Sequence, residues 1–301
     1  MTQIKETARQ VNVTESTDVI VCGGGPAGIA AALASAKTGA KTRLIEVNGR
    51  LGGVWTASAL SYVMDSENKS GIMELIKERL LEAEGASQPE GNDFTYDAET
   101  MAFVLEQLAG EFGVDVRLYT RVVAAQVANG RLHSIVTESK SGREAWQAKA
   151  FIDATGDGDL GALAGCAFDM GKKDTGAVQP MSLIALVTGL NLNEVTSFVH
   201  TDSLQTNVKE NLLNAMMQAG VEPSYRHPTL FMIRQGLYAL MSNHEYGVSA
   251  LDAQGLSDAT LRARQEVHRQ VRALRKLGAP WHDMRVVTTG QQIGVREGRR
   301  L

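Results

Sequence analysis

The stretch VIVCGGGPAG, Val19 to Gly28, runs an apolar segment into a cluster of glycines. DVIVCG reads as a short strand buried on both faces. Pro26 then falls in the first turn of a helix, where its missing N–H costs nothing. That helix, AGIAAALASAKTG, is rich in small residues and stops at Gly39. KTRLIEV reads as a second strand, so the unit is a βαβ with parallel strands. In it Gly23 permits the sharp turn out of the strand, Gly25 lets a ligand approach the backbone, and Gly28 lets the helix pack closely on the sheet. The helix N-terminus offers free N–H groups to phosphates. Glu46, at the end of the second strand, is placed to accept bonds from ribose hydroxyls and to repel a 2′-phosphate. A bare βα turn with a chance glutamate is the competing reading, and strand, helix and acid together outweigh it. The stretch is a dinucleotide cradle, and to this point NAD and FAD fit equally.

The 301 residues suffice for one large core or two domains. With 44% hydrophobic and 21% charged residues the chain reads as globular, and no apolar run is long enough to cross a bilayer. A net charge of −4 gives no general attraction to nucleic acid or anionic membrane. The opening MTQIKETARQVNVTEST lacks the basic and apolar regions of a secretory signal, so the expected location is cytoplasmic. Cys22 and Cys166 stand far apart, which excludes a disulfide framework or a dithiol centre, and both read as buried small hydrophobes. No histidines fall at metal-ligand spacing, so no metal site is expected.

Further along, SGIMELIKERLLEAEG and AETMAFVLEQLAGEFG read as helices, the second capped by Asp97. VDVRLYT reads as a strand. RVVAAQVA, RLHSIVTES and EAWQAKAFIDATG form an antiparallel meander with a turn at Asn129 and Gly130. Beyond about Gly161 the chain changes character. PMSLIALVTGL and PTLFMIRQGLYALMS read as longer strands, with NEVTSFVH and NVKENLLNAMMQAG as helices between them. SDATLRARQEVHRQVRALRKLG reads as a helix capped by Ser257 or Asp258 and stopped by Gly278, its arginines a solvated face.

The residues just beyond Glu46 separate the two dinucleotides. RLGG, Arg50 to Gly53, arrives four residues later and leads into VWT. This spacing resembles the second glycine motif of two-dinucleotide-binding-domain flavoproteins. FIDATGDGD, with Ala154, Thr155 and Gly156, resembles the segment by which such proteins return to their FAD domain. On these pieces, with IDATGDGDLGALAG and the closing IGVREGRR, the chain resembles FAD-dependent oxidoreductases of the fumarate reductase and heterodisulfide-reductase flavoprotein group. The likeness is specific over residues 15–165, looser to 285, and resumes in the last dozen. It implies an α/β fold: a Rossmann-like FAD-binding domain, parallel sheet with β-meander, plus an α+β substrate domain. The expected layout is a polar leader (1–17), the FAD-binding domain (18–160), a substrate or cap domain (161–288), and a return toward the FAD domain (289–301).

The resemblance implies FAD held by Gly23, Gly25, Pro26, Ala27, Gly28, Glu46, Arg50, Gly52 and Gly53. It also implies Val123 against adenine, Gly156 against the cofactor and Thr56 near the isoalloxazine ring. Arg50 either adds charge near the pyrophosphate or lies on the surface; Asp157 and Asp159 are candidates to bind the cofactor, Asp159 against the alternative of capping the helix starting near Leu160. Family members continue past a REsRR-like segment, whereas this sequence stops at Leu301, and the expectation is a chain lacking the last FAD-binding segment. The implied chemistry is hydride transfer between a small-molecule substrate and flavin N5. His244, Arg296 and Arg299 are the catalytic candidates, against the readings of a hydrogen-bonded strand-end histidine and solvated arginines. Competing functions are a non-catalytic binding protein on the same fold, as in Rab GDP-dissociation inhibitors, and a dehydrogenase using NAD alone. Neither nucleic acid nor membrane is expected as a partner, and a homo-oligomer is compatible with the sequence.

Overall fold

The computed structural model describes residues 4, 9–67, 69–86, 93–200 and 207–301. Residues 1–3 and 5–8 of the polar leader lie outside the described residues. The glycine stretch joins β1 (Val13–Cys22), α1 (Pro26–Lys37) and β2 (Thr42–Ile45), with β1 and β2 parallel from Val19↔Thr42 to Cys22↔Ile45. β1 reaches back to Val13, ahead of Asp18, because Val13 to Thr17 pair with the long strand of the meander. The last residues assigned to the leader are therefore sheet.

β3 (Tyr62–Val63) and β4 (Phe94–Thr95) form a small antiparallel pair around α2 (Ile72–Glu82). α3 (Ala98–Glu111) begins at Asp97, whose carboxylate accepts from the Glu99 and Thr100 amides, as the sequence suggested. β5 (Asp115–Arg117) adds to β2, and the meander comes next as β6 (Arg121–Ala128), β7 (Arg131–Ser139) and β8 (Gly142–Asp153). The β6–β7 turn holds Asn129 at φ 52° and Gly130 at φ 71°, the left-handed pair that an Asn-Gly hairpin demands. The sheet order is β5-β2-β1-β8-β7-β6, parallel in its first four strands.

Both faces of β1 are covered, which is why its sequence is an unbroken apolar run. On one side α1, α2 and α3 bury Val21, Ile29, Leu33, Met101 and Leu105. On the other, the meander and α4 (Asp159–Leu163) enclose Ile20, Cys22, Trp146 and Leu160. Cys22 is buried as expected, but Cys166 is exposed, because it lies past α4 in an open loop.

The second domain is a four-stranded antiparallel sheet, β10-β11-β9-β12, with helices on one face. Its elements in chain order are β9 (Ala185–Thr188), α5 (Leu192–Val195), α6 (Asn207–Gln218), β10 (Thr229–Arg234), β11 (Leu237–Met241), α7 (Ala253–Lys276) and β12 (Arg285–Thr289). β10 and β11 replace the single long strand expected from PTLFMIRQGLYALMS. Gly236 at φ 77° folds the run into a hairpin, and Arg234 pairs with Leu237. PMSLIALVTGL yields only the short β9. α7 is capped by Asp252, whose carboxylate accepts from Gln254 N–H, and not by Ser257 or Asp258. Alternation along β10 sends Leu230 and Met232 to the helices and Phe231 and Ile233 to the opposite face.

Candidate active site

A cleft of about 1080 Å³ opens where the carboxyl ends of β1, β2 and β8 meet the segment after β12 and the first turns of α7. Its floor is the glycine turn. Gly23 has φ 103°, and a Cβ there would sit 2.2 Å from the Ala154 carbonyl oxygen, so only glycine makes this turn. A Cβ on Gly25, in contrast, would meet nothing nearer than Gly53 Cα at 4.0 Å. The backbone at Gly25 thus faces open cleft. No side chain caps the N-terminus of α1, and Pro26 contributes no N–H, so the first-turn amides are left for a ligand.

Glu46 closes one end of this floor. It is buried; its Oε2 accepts from Gly24 N–H at 2.6 Å, and its Oε1 from Asn48 N–H at 2.7 Å and Asn48 Nδ2 at 2.8 Å. A carboxylate has about four acceptor positions, so one remains on Oε2. Asn48 Nδ2 also donates to Gln292 Oε1 at 3.3 Å, tying the end of β2 to the segment beyond β12.

The second glycine motif serves the first. Gly52 N–H donates to Gly24 O at 2.8 Å, and a Cβ on Gly53 would sit 2.9 Å from Gly25 Cα. RLGG therefore braces the glycine turn from beneath. Gly53 reaches the cleft, while Thr56 is buried with its hydroxyl on Leu51 O. Arg50 turns to the exposed Glu99 of α3 and does not line the cleft.

At the far end of β8, Asp153 and Thr155 organise α4. The Thr155 hydroxyl accepts from Asp159 N–H at 2.8 Å, and Asp153 Oδ2 from Gly161 N–H at 2.8 Å. These two groups take the cap role considered for Asp159, whose own carboxylate pairs with Arg299 Nη1 at 2.7 Å. Arg299 also donates to Asp157 O at 2.9 Å. Burial, then repulsion from Asp159, pushes the Asp157 carboxyl above the ordinary carboxylate range, with Arg299 opposing.

Arg296 lines the cleft and is held by Pro180 O and by Ser182 Oγ at 2.9 Å. His244 stands behind the lining, its ring 4.0 Å from that of Tyr225 and its Nδ1 3.1 Å from the Tyr246 hydroxyl. Burial, and then the Arg296 charge, lower the His244 pKa to about 4.

The structure thus gathers Gly23, Gly25, Pro26, Ala27, Glu46, Gly53, Gly156, Arg296 and Arg299 around one cleft. Gly28 and Gly52 lie just behind it as packing glycines. Val122 lines the cleft in place of Val123, at a β6 irregularity between Val122 and Ala124. Asn48 and Gln292 are cleft residues that the sequence reading did not assign, while Asp157 and Asp159, both considered for the cofactor, do line the cleft. Among the described residues no helix is long and apolar enough to cross a membrane, and no group of three His, Cys, Asp or Glu side chains could hold a metal.

The open backbone at Gly25, the uncapped helix end and the free acceptor on Glu46 fit the pyrophosphate and ribose of a dinucleotide. The model of the FAD-dependent oxidoreductase family matches residues 18–301. No curated protein sequence matches. Among solved structures, a geranylgeranyl bacteriochlorophyll reductase-like protein from Thermoplasma acidophilum superposes with TM-score 0.59 at 16% identity, covering 93% of this chain and 66% of its own. p-Nitrophenol 4-monooxygenase from Pseudomonas putida gives 0.58 at 14%, covering 95% and 69%. L-Amino acid deaminase from Proteus vulgaris gives 0.57 at 11%, covering 98% and 86%. At such identities these likenesses speak for the fold, and this chain spans just under two thirds of the first of them. With the family model covering nearly its whole length, the chain belongs to the FAD-dependent oxidoreductase family.

Proposed function

We propose that the enzyme moves a hydride between a small organic substrate and flavin N5. In this reading the pyrophosphate rests on Gly25 and the first turn of α1, and the adenosine ribose on Glu46. The observation that carries it is the glycine turn itself, which leaves backbone open at Gly25 while every neighbouring glycine is packed. FAD, when bound, supplies the two-electron redox centre.

The chain supplies the surroundings. Arg299 neutralises Asp159, removing one negative charge from a cleft that must accept phosphates. Asn48 and Gln292 join the Glu46 end to the segment after β12. Arg296 presents a positive charge to the cleft, and His244, neutral at working pH, is close enough to feel it. Arg50 supports α3 through Glu99, and its charge is spent there.

The first test is the colour of the purified protein. Oxidised-flavin bands, with FAD identified by mass spectrometry after release, are expected; NAD alone in the cleft would refute the reading. An anaerobic substrate screen monitored by loss of the flavin band then tests hydride transfer.

A further inference from the structure

Asn48 spends its side-chain NH₂ completely. Nδ2 donates to Glu46 Oε1 at 2.8 Å and to Gln292 Oε1 at 3.3 Å, which uses both of its hydrogens. The first bond decides which way Asn48 faces, and the second decides which way Gln292 faces. With its Oε1 turned to Asn48, Gln292 keeps its own NH₂ group for another partner. Among the described residues none accepts from that Nε2, and Gln292 stands half-buried in the lining of the cleft. The Glu46 carboxylate thus orients, through one intervening amide, a pair of donors that lies 244 positions from Asn48 in the chain.

The backbone of Gln292 is fixed as well. Gln291 N–H donates to Ala57 O at 2.7 Å and Gln292 N–H to the same oxygen at 3.4 Å. Just before them Gly290 N–H donates to Ile184 O at 2.9 Å, and a Cβ on Gly290 would stand 2.9 Å from Ser58 O. Just after them Ile293 is buried with Ala259 and Ala263 of α7. Ala57 in turn donates its N–H to Gly53 O at 2.7 Å, and Gly53 abuts Gly25. The segment after β12 is therefore tied to the cradle twice, through Ala57 to the glycine turn and through Asn48 to Glu46.

The two ends of the Glu46–Asn48–Gln292 relay are opposite in kind. Glu46 keeps one acceptor position and Gln292 keeps its donors. A carboxylate alone satisfies only the donating side of a sugar hydroxyl, whose oxygen also accepts. A vicinal diol needs both. We propose that Gln292 completes the ribose site: Glu46 accepts from the diol, Gln292 Nε2 donates to its oxygens, and Asn48 is the positioning residue between them. The adenosine half of FAD is then read jointly by the end of β2 and by the segment after β12. This rests on the placement of the ribose on Glu46 above, and it adds the residue that answers the diol from the opposing wall.

The test is a calorimetric titration of the full chain in its flavin-free form with ADP and with 2′,3′-dideoxy-ADP, which differ only in the diol. The wild type is expected to bind ADP at least about tenfold tighter, a difference of about 1.4 kcal/mol. Gln292→Met keeps the side-chain length and offers no donor. It should cut that preference by at least about threefold and leave the affinity for 2′,3′-dideoxy-ADP as it was. Asn48→Leu, which frees Gln292 to turn, should lower the ratio at least as much. A role in folding alone would weaken both nucleotides together, so an unchanged ratio in either variant would overturn the assignment. The two readings fail separately. A ratio that falls in Glu46→Gln but not in Gln292→Met removes Gln292 and leaves the ribose on Glu46. A ratio that falls in Gln292→Met but not in Glu46→Gln removes the Glu46 placement alone. A wild type that binds the two nucleotides alike, or binds neither, removes both.

Discussion

The carbonyl oxygen of Gly23 lies where a side chain at residue 28 would begin: a Cβ on Gly28 would stand 1.8 Å from it. α1 therefore rides directly on the turn that leaves β1. Gly28→Ala is expected to lift the helix from the sheet, at a cost of about 1–3 kcal/mol as for other overpacked sites, and to lower FAD content in step. Thermal melts and the flavin absorbance of purified protein measure both. A variant with wild-type Tm and full flavin would show that the helix has room to move.

Glu46 answers three donors, so Glu46→Gln must turn its own NH₂ toward one of them. The buried mismatch should cost about 1–3 kcal/mol, and FAD affinity should fall by about 10-fold to 100-fold. Glu46→Arg, which reverses the charge, should weaken binding further. Quenching of flavin fluorescence on titration reports the Kd, and an unchanged value for both variants would place the ribose elsewhere.

The depressed His244 pKa has a stability consequence with a definite sign. The folded value is about 4, below the ordinary 6.5, so between these limits the unfolded chain binds more protons than the native one. This contribution is complete above the unfolded pKa and is lost as the pH falls through the window toward 4. Urea midpoints should therefore drop on acidification in the wild type, and more shallowly in His244→Asn. Arg296→Gln should raise the His244 pKa, because it deletes the second cause of the depression. A histidine NMR titration with an ordinary midpoint would contradict the buried setting.

The two thiols should differ in reactivity. Burial, aided by Asp153, drives the Cys22 thiol up to about 12, while Cys166 is exposed. Iodoacetamide at mildly alkaline pH should label Cys166 alone in the native protein and both cysteines after denaturation. Peptide mass spectrometry decides, and native labelling of Cys22 would mean that the β1 face opens.

The legible part of the sequence was local. Gly23, Gly28, Asp97 and the Asn129–Gly130 turn each obey a rule spanning a few residues, and each sits as that rule requires. Asp252 was hidden because Gly255, in the first turn of the helix, gives AQGLS the look of a loop. The β10–β11 hairpin did carry a signal, the Gly in IRQGLY between two apolar runs, but a single glycine also suits a bulged strand. Asn48 and Gln292 had none. They meet across 244 positions, and only the folded chain brings an amide pair so distant into one hydrogen bond. Arg50 was ambiguous for the same reason: its partner Glu99 depends on where α3 packs.

The return of residues 290–301 to the Rossmann sheet has a bearing on biosynthesis. One wall of the cleft comes from residues 23–27 and the opposing wall from residues 292–301. During translation the βαβ unit leaves the ribosome first, yet it meets its opposing wall only after the substrate domain has been made. A flavin that needs both parts of the lining is therefore expected to be captured only after the substrate domain has been made.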